Sequence, residues 1–198
     1  MQVNSYELGQ YVKIIDDIFT EKHIDIFLEK VVKKIKFEDA TIGSKGDTNK
    51  KIRNTLDYTI TRFNKSITAV HWCNYICNKI NAAIQKHYKP LVPHLTYIYP
   101  DGFQILKYEE GGFYTPHVDH FHSIPRTLSI VMFLNDDYEG GDFEMFSPDG
   151  LNSAKIEPKK GRTIIFPSNF QYPHKANKVT KGTRYAIVMW VLWLEKIL

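Results

Sequence analysis

His117-Val-Asp119, completed further along the chain by His174 and Arg184, is the stretch on which the reading of this sequence turns. Two imidazoles and one carboxylate are the donor set that holds Fe(II) on one face and leaves the opposite face open. Side chains at i and i+2 of a β-strand project to the same side, so on a strand His117 and Asp119 grip one ion together while Val118 points into the core. The third ligand then comes from a distant strand, and His174 supplies it. Arg184 opens an apolar run in which a fixed cation suits a dicarboxylate.

The chain has 8 histidines, so His-x-Asp alone carries little weight. Its surroundings carry more. Upstream stands Ile105-Leu-Lys-Tyr108-Glu-Glu-Gly-Gly-Phe-Tyr114-Thr-Pro, and downstream come Gly140-Gly-Asp-Phe143, Phe166-Pro167-Ser168 and Thr183-Arg-Tyr-Ala-Ile-Val-Met-Trp190. From position 93 onward the pattern breaks into short β-branched and aromatic segments punctuated by Gly, Pro and Asn-Asp turns. Strands are expected over 95–99, 103–107, 114–118, 127–134, 141–146, 154–157, 162–166, 172–176 and 183–193. Such a run without intervening helices points to a double-sheet jelly roll, also described as a double-stranded β-helix.

The preceding part reads as helical. Residues 16–37 carry an apolar stripe through Ile18, Phe19, Ile24, Phe27, Leu28, Val31, Val32 and Ile35. A second helix is expected from the N-cap Ser66 to about His87, with Cys73, Ile76, Cys77, Ile80 and Ile84 facing inward. Residues 38–54 form the most loop-like stretch, a candidate lid over a bound peptide with Lys50, Lys51 and Arg53 on it. The fold class is therefore mainly β with supporting N-terminal helices (α+β). One domain covers 1–198: 1–93 is helical support with the lid loop, and 94–198 is the catalytic jelly-roll core.

Composition agrees with one globular domain: 198 residues, 43% apolar, formal net charge +4. The lysines are spread, which argues against nucleic-acid binding and leaves an acidic or polar protein surface as an equal partner. Cys73 and Cys77, four apart on a helix, read as buried thiols rather than a disulfide or metal site. No apolar run approaches a membrane span, and residues 1–9 lack the regions of a secretory signal, so a soluble cytoplasmic protein is expected. The aromatic tail Trp190, Leu192, Trp193, Leu194 and Ile197 either closes the core or buries a dimer contact; the oligomeric state stays open.

In the order Tyr108, His117, Asp119, Gly140-Gly141, Phe166-Pro167-Ser168, His174, Arg184 and Trp190, the sequence resembles the Fe(II)- and 2-oxoglutarate-dependent dioxygenases of the prolyl 4-hydroxylase type over about residues 95 to 194. Its last strand is most like that of the oxygen-sensing prolyl hydroxylases, since collagen-type relatives usually carry Lys where this chain has Arg184. The resemblance implies Fe(II) on His117, Asp119 and His174, with 2-oxoglutarate and dioxygen as cosubstrates and ascorbate as an accessory reductant. It implies hydroxylation of a protein or peptide side chain, proline foremost, with release of succinate and carbon dioxide. Arg184 would take the far carboxylate of 2-oxoglutarate, Tyr108 would donate to the cosubstrate, and Trp190 would line the metal pocket. Arg126 and Tyr114 would meet substrate at the mouth, with His120 and His122 on a loop beside it.

Two positions depart from the family pattern. Many relatives place a tyrosine on the strand after the metal pair, reaching the cosubstrate carboxylate, where this chain has Phe133; some add a Ser where it has Ala186. Thr127, Ser129 or Thr163 is then the expected substitute hydroxyl. Two other classes remain open: an oxygenase acting on nucleic acid or a small molecule, and a non-catalytic jelly-roll binding module. Nucleic-acid demethylases of the related repair family carry a second Arg at the position of Trp190, which counts against them, and halogenases replace the metal carboxylate that Asp119 provides, which counts against that chemistry.

Overall fold

The runs Arg126–Phe133 and Arg184–Trp193 lack a polar alternate face because their strands are buried on both sides. In the computed structural model, which describes residues 9–43, 46–123 and 125–193, successive residues of these strands enter different cores. Ile105, Ile130, Met132, Ile165, Ile187 and Met189 pack with the helices. Their neighbours Leu106, Val131, Phe133, Ile164, Phe166 and Val188 pack toward a second sheet. Each fully buried Ile or Phe contributes roughly 1.5–3 kcal/mol of hydrophobic stabilisation, so both layers are strongly held.

In chain order the elements are β1 (Lys13–Ile15), α1 (Glu21–Lys30), β2 (Glu38–Asp39), β3 (Arg53–Asn54), β4 (Leu56–Thr61), α2 (Ile67–Ala83), β5 (Tyr97–Ile98), β6 (Gly102–Tyr108), β7 (Phe113–His117) and β8 (Arg126–Phe133). They continue as β9 (Glu139–Gly140), β10 (Phe143–Phe146), β11 (Ser153–Ile156), β12 (Thr163–Pro167), β13 (His174–Ala176), β14 (Val179–Lys181) and β15 (Arg184–Trp193). The major sheet runs β1-β12-β8-β15-β6-β4-β2, with β5 on the end of β15; the minor sheet runs β11-β10-β13-β7-β3; β9 and β14 pair alone. The strand pairs are antiparallel, the jelly-roll arrangement expected from the sequence.

All nine expected strands are present, with ends shifted by a residue or two. The N-terminal part, in contrast, is more than helical support. β1, β2 and β4 extend the major sheet and β3 joins the minor one. β4 pairs with β6 over six positions, from Leu56 opposite Lys107 to Thr61 opposite Gly102. The first helix is shorter than its apolar stripe. Thr20 caps it by accepting from His23 N, and its last turn closes on Phe27 O before a 3₁₀ turn over Val32–Lys34. Residues 16–19 lie outside it because the Asp16 carboxylate is held by Arg162 (2.8 and 3.0 Å) and Lys159 (2.9 Å). Ser66 caps α2 as expected, and a π-helical turn over Ile84–Tyr88 follows that helix.

Cys73 and Cys77 are buried free thiols. Lysines of the basic runs pair with carboxylates, Lys160 with Asp25, Lys175 with Glu144 and Lys181 with Glu139. Among the described residues no helix is long and apolar enough to cross a membrane. Of the aromatic tail, Val191 beside it is buried and Trp190 turns to the site, while Leu194 and Ile197 lie outside the described residues, as do residues 1–8 of the expected signal-free start.

Glu144 ties three strands of the minor sheet. It accepts from Ser153 (2.7 Å) and Asn177 (2.9 Å) and pairs with Lys175 (3.0 Å). The Ser153 and Asn177 hydrogen bonds, with Lys175, outweigh burial and hold its carboxyl at about 2, below the ordinary 4.5. A depressed folded value contributes stability that is fully present above pH 4.5 and is lost as the pH falls toward 2. Replacing Glu144→Gln is expected to lower the melting temperature at pH 7 and to flatten its decline between pH 5 and pH 2, followed by circular dichroism.

Candidate metal centre and cosubstrate pocket

β13 and β7 are antiparallel partners in which His174 stands directly opposite His117. That pairing brings the two rings to 4.3 Å between centroids, although 56 residues separate them in the chain. The strand ends at His117, and Asp119 lies just beyond it, its N–H and that of His120 donating to Ser168 O. Val118 is consequently half-buried at the strand end rather than part of either core, a correction to the simple alternation that the sequence suggests. The carboxylate nevertheless faces both imidazoles: His117 Nε2 is 3.7 Å from Oδ1, and His174 Nε2 is 3.6 Å from Oδ2. One ligand atom from each of the three residues lies within 4.8 Å of the others, the spacing that a single ion needs.

Each imidazole is oriented by its own backbone neighbourhood. His117 Nδ1 is 2.8 Å from Thr115 O and His174 Nδ1 is 3.0 Å from Tyr172 O, which places the proton on Nδ1 and leaves both Nε2 lone pairs for metal. Burial, reinforced by His174, pulls His117 down to about 3 against the opposing pull of Asp119, so this ring is neutral at physiological pH. Burial works against ionising Asp119, but His174, His117 and the Ser129 hydroxyl outweigh it and keep the carboxyl below its ordinary value. Ser129 Oγ donates to Asp119 Oδ2 at 2.6 Å and meets Ser168 Oγ at 2.8 Å. The Trp190 indole N–H, buried and without a partner in hydrogen-bond geometry, also acts on this carboxylate to lower it. The donor set, tautomers and charge fit Fe(II) or another divalent first-row ion.

The cavity between the sheets has a volume of about 110 Å³, with the triad at one place on its wall and Arg184 at another. Arg184 is 1% exposed, and its Nε and Nη1 have no hydrogen-bond partner. Its guanidinium lies 4.7 Å from the ring centroid of Tyr108, the residue opposite it on β6, and 5.2 Å from that of Phe133. Aromatic faces alone do not replace the water such a cation gives up, so the arrangement suits a carboxylate arriving with a ligand. Gly140 and Gly141 allow β14 to approach here. A Cβ on Gly140 would sit 2.5 Å from Lys178 O, and both glycines hold positive φ, 71° and 66°.

Tyr114 stacks on His117 with 3.6 Å between centroids, and the Arg53 guanidinium lies 4.9 Å from the centroid of the Tyr114 ring. Arg126 lies 3.6 Å over the Trp190 ring and donates to Asp119 O at 3.2 Å. The sequence-derived site residues His117, Asp119, His174, Arg184, Tyr108, Trp190, Arg126 and Tyr114 thus all line one cavity. His120 is exposed and bonded to Arg126 O, outside the metal cluster. Sequence reasoning treated Arg53 only as part of a loop. In the structure β2 pairs with β4, β3 pairs with β7, and Arg53 Nη1 donates to Thr41 O at 2.8 Å, so Thr41, Gly43 and Arg53 form cavity wall, while residues 44 and 45 of the expected lid loop lie outside the described residues. Of the three expected substitute hydroxyls, Ser129 is committed to Asp119 and Thr163 to Gly161 O, and Thr127 is not among the residues lining the cavity.

Residues 103–192 match the model of the 2OG-Fe(II) oxygenase superfamily. A 66-residue stretch, 33% of this chain, is 42% identical to human prolyl 3-hydroxylase 2, and 69 residues, 34% of the chain, are 38% identical to human prolyl 3-hydroxylase 3. In both cases the match spans 9% of the relative's length. Among solved structures, a Trichoplax adhaerens prolyl hydroxylase in complex with a hypoxia inducible factor peptide fragment has a TM-score of 0.78 at 17% identity, covering 92% of this chain and 84% of that one. A Pseudomonas putida prolyl-4-hydroxylase has a TM-score of 0.71 at 18% identity, covering 93% and 94%.

His117→Ala and Asp119→Ala are each expected to abolish stoichiometric Mn(II) or Fe(II) binding, measured by competition with a chromogenic chelator. Ser129→Ala leaves the three ligands but frees Asp119 Oδ2, and is expected to weaken metal affinity about 10–100-fold, the usual cost of losing a group that orients a ligand.

Proposed function

We propose, for a chain whose residues 103–192 match the model of the 2OG-Fe(II) oxygenase superfamily, the activity of an Fe(II)- and 2-oxoglutarate-dependent dioxygenase that hydroxylates a prolyl side chain of a protein or peptide at C4. The observation that carries this reading is the placement of the His117, Asp119 and His174 cluster and the unpaired, buried guanidinium of Arg184 on one small cavity. A metal-binding module has no use for that cation. Fe(II) and 2-oxoglutarate, once bound, supply the oxidative chemistry: dioxygen is consumed, succinate and carbon dioxide are released, and a substrate C–H becomes C–OH.

The side chains have separable parts in this scheme. His117 and His174 would present their Nε2 lone pairs, and Asp119, kept ionised by its imidazole neighbours and Ser129, would complete one face of the coordination sphere. Arg184 binds the distal carboxylate of 2-oxoglutarate through its free N–H groups. Phe143, Val131 and Val188 exclude water from the same cavity. Tyr114 and Arg126 meet the substrate at the mouth. Neither Arg53 nor Arg126 has a carboxylate ion-pair partner among the described residues, so the mouth carries surplus positive charge that suits an acidic residue near the target proline. Thr41, Gly43 and Arg53 form the part of the wall that a bound peptide would meet.

The overall likeness to a prolyl-4-hydroxylase and to a peptide-bound prolyl hydroxylase supports C4 and a peptide substrate. Hydroxylation at C3 is the second reading, supported by the local identity to prolyl 3-hydroxylases. The deciding experiment incubates the protein with Fe(II), 2-oxoglutarate, ascorbate and oxygen, with and without proline-containing peptides that do or do not carry flanking Asp or Glu. Succinate should form and peptides should gain the mass of one oxygen, acidic ones preferentially, with neither signal in Asp119→Ala. Chromatography of the hydrolysed peptide separates 4- from 3-hydroxyproline, and absence of succinate with every peptide would count against the oxygenase reading itself.

A further inference from the structure

Tyr138 lies in the turn between β8 and β9, and its hydroxyl is buried without a hydrogen-bond partner. A buried phenol normally finds one, because leaving it unpaired costs the hydration it gave up. The group beside it is in the same condition. Arg184 offers Nε and Nη1 with nothing to receive them. The two side chains converge at Gly141: the position a Cβ would take there is 2.9 Å from Tyr138 Cε2 and 3.4 Å from Arg184 Cδ. Of the charged groups around Tyr138, Arg184 acts on its hydroxyl most strongly, ahead of Asp136 and Asp142. Burial outweighs all of them and pushes the phenol up to about 12, so it remains a protonated donor at neutral pH.

Two side chains that meet at Gly141 and each hold back an unmet donor invite one acceptor between them, although Arg184 alone of the two lines the cavity. A carboxylate has about four lone-pair sites, enough for Arg184 and a hydroxyl together. The other aromatic neighbour of the guanidinium on β8, Phe133, has no hydroxyl to contribute. We propose that Tyr138 is a further cosubstrate-binding residue of this chain, its hydroxyl donating to the same distal carboxylate of 2-oxoglutarate that Arg184 pairs with. Gly141 is then required at its place because any side chain there separates the two groups. The inference rests on the cosubstrate reading of the pocket and deepens it.

The test compares the full chain with Tyr138→Phe, which removes only the oxygen. Anaerobic Fe(II) protein is titrated with 2-oxoglutarate and followed by the visible charge-transfer band that a chelated 2-oxo acid gives with ferrous iron. The variant should bind 2-oxoglutarate at least about 10-fold more weakly, the range for losing a hydrogen bond to a charged group. Its Fe(II) affinity and melting temperature should match the wild type. Pyruvate, which keeps the chelating end and lacks the distal carboxylate, should bind both proteins equally. Gly141→Ala, which retains the phenol but wedges a methyl group beside Arg184, should show the same selective loss. Wild-type affinity for 2-oxoglutarate in Tyr138→Phe, or an equal loss of pyruvate binding, overturns the inference alone. A wild-type chain that forms no 2-oxoglutarate complex overturns it together with the reading on which it rests.

Discussion

The antiparallel pairing of His174 with His117 is the contact on which the rest of the molecule depends. Side-chain direction alternates along a strand, so a slip of one residue between β13 and β7 would send one imidazole to the opposite face. The register is held from both sides, by β10 pairing with the far edge of β13 and β3 with that of β7. Asp119 is not on the ladder at all. It is fastened by Ser129 and Ser168, which belong to the major sheet and the loop after β12, so the metal triad joins the two sheets. Its geometry follows from the packing of the two sheets as much as from local sequence.

The same enclosure that keeps His117 neutral makes Arg184 expensive. A guanidinium 1% exposed with two unmet donors lowers stability in the ligand-free chain, since burying a charge without its partner is among the costliest things a fold can do. The surrounding apolar contacts of Leu106, Phe133, Val179 and Val188 offset it. A violation of local packing rules at one place, supported everywhere else, is the pattern expected of a working site.

Much of this was legible before any coordinates. His117, Asp119, His174 and Arg184 announced themselves by chemistry and spacing, and the strands from residue 93 onward by length and β-branched composition. What escaped was non-local. Leu56, Tyr58 and Ile60 do alternate with polar residues, but six residues beside a Gly-, Lys- and Asp-rich loop were too short a signal to reveal that β4 extends the major sheet beyond β6. Residues 16–19 continued the apolar stripe of α1, yet Arg162, distant in sequence, captures Asp16, and the helix starts only after its cap Thr20. Arg53 looked like one more surface cation until β3 set it over Tyr114. Ser129 looked free to serve the cosubstrate until Asp119 was found within 2.6 Å of it.

Alternate residues of β6, β8, β12 and β15 look to opposite layers, one toward α1 and α2, the other toward the cavity. A single backbone therefore carries two nearly independent sets of constraints. Mutational drift at Ile105, Ile130, Ile187 or Met189 must satisfy only the helices, whereas Leu106, Val131 and Val188 answer to whatever enters the cavity. A substitution in the helix-facing set leaves the lining of the reactive chamber unchanged in composition, and one in the cavity-facing set leaves the helix contacts unchanged. That division lets one architecture wander widely in sequence and still keep three donors and one cation in place.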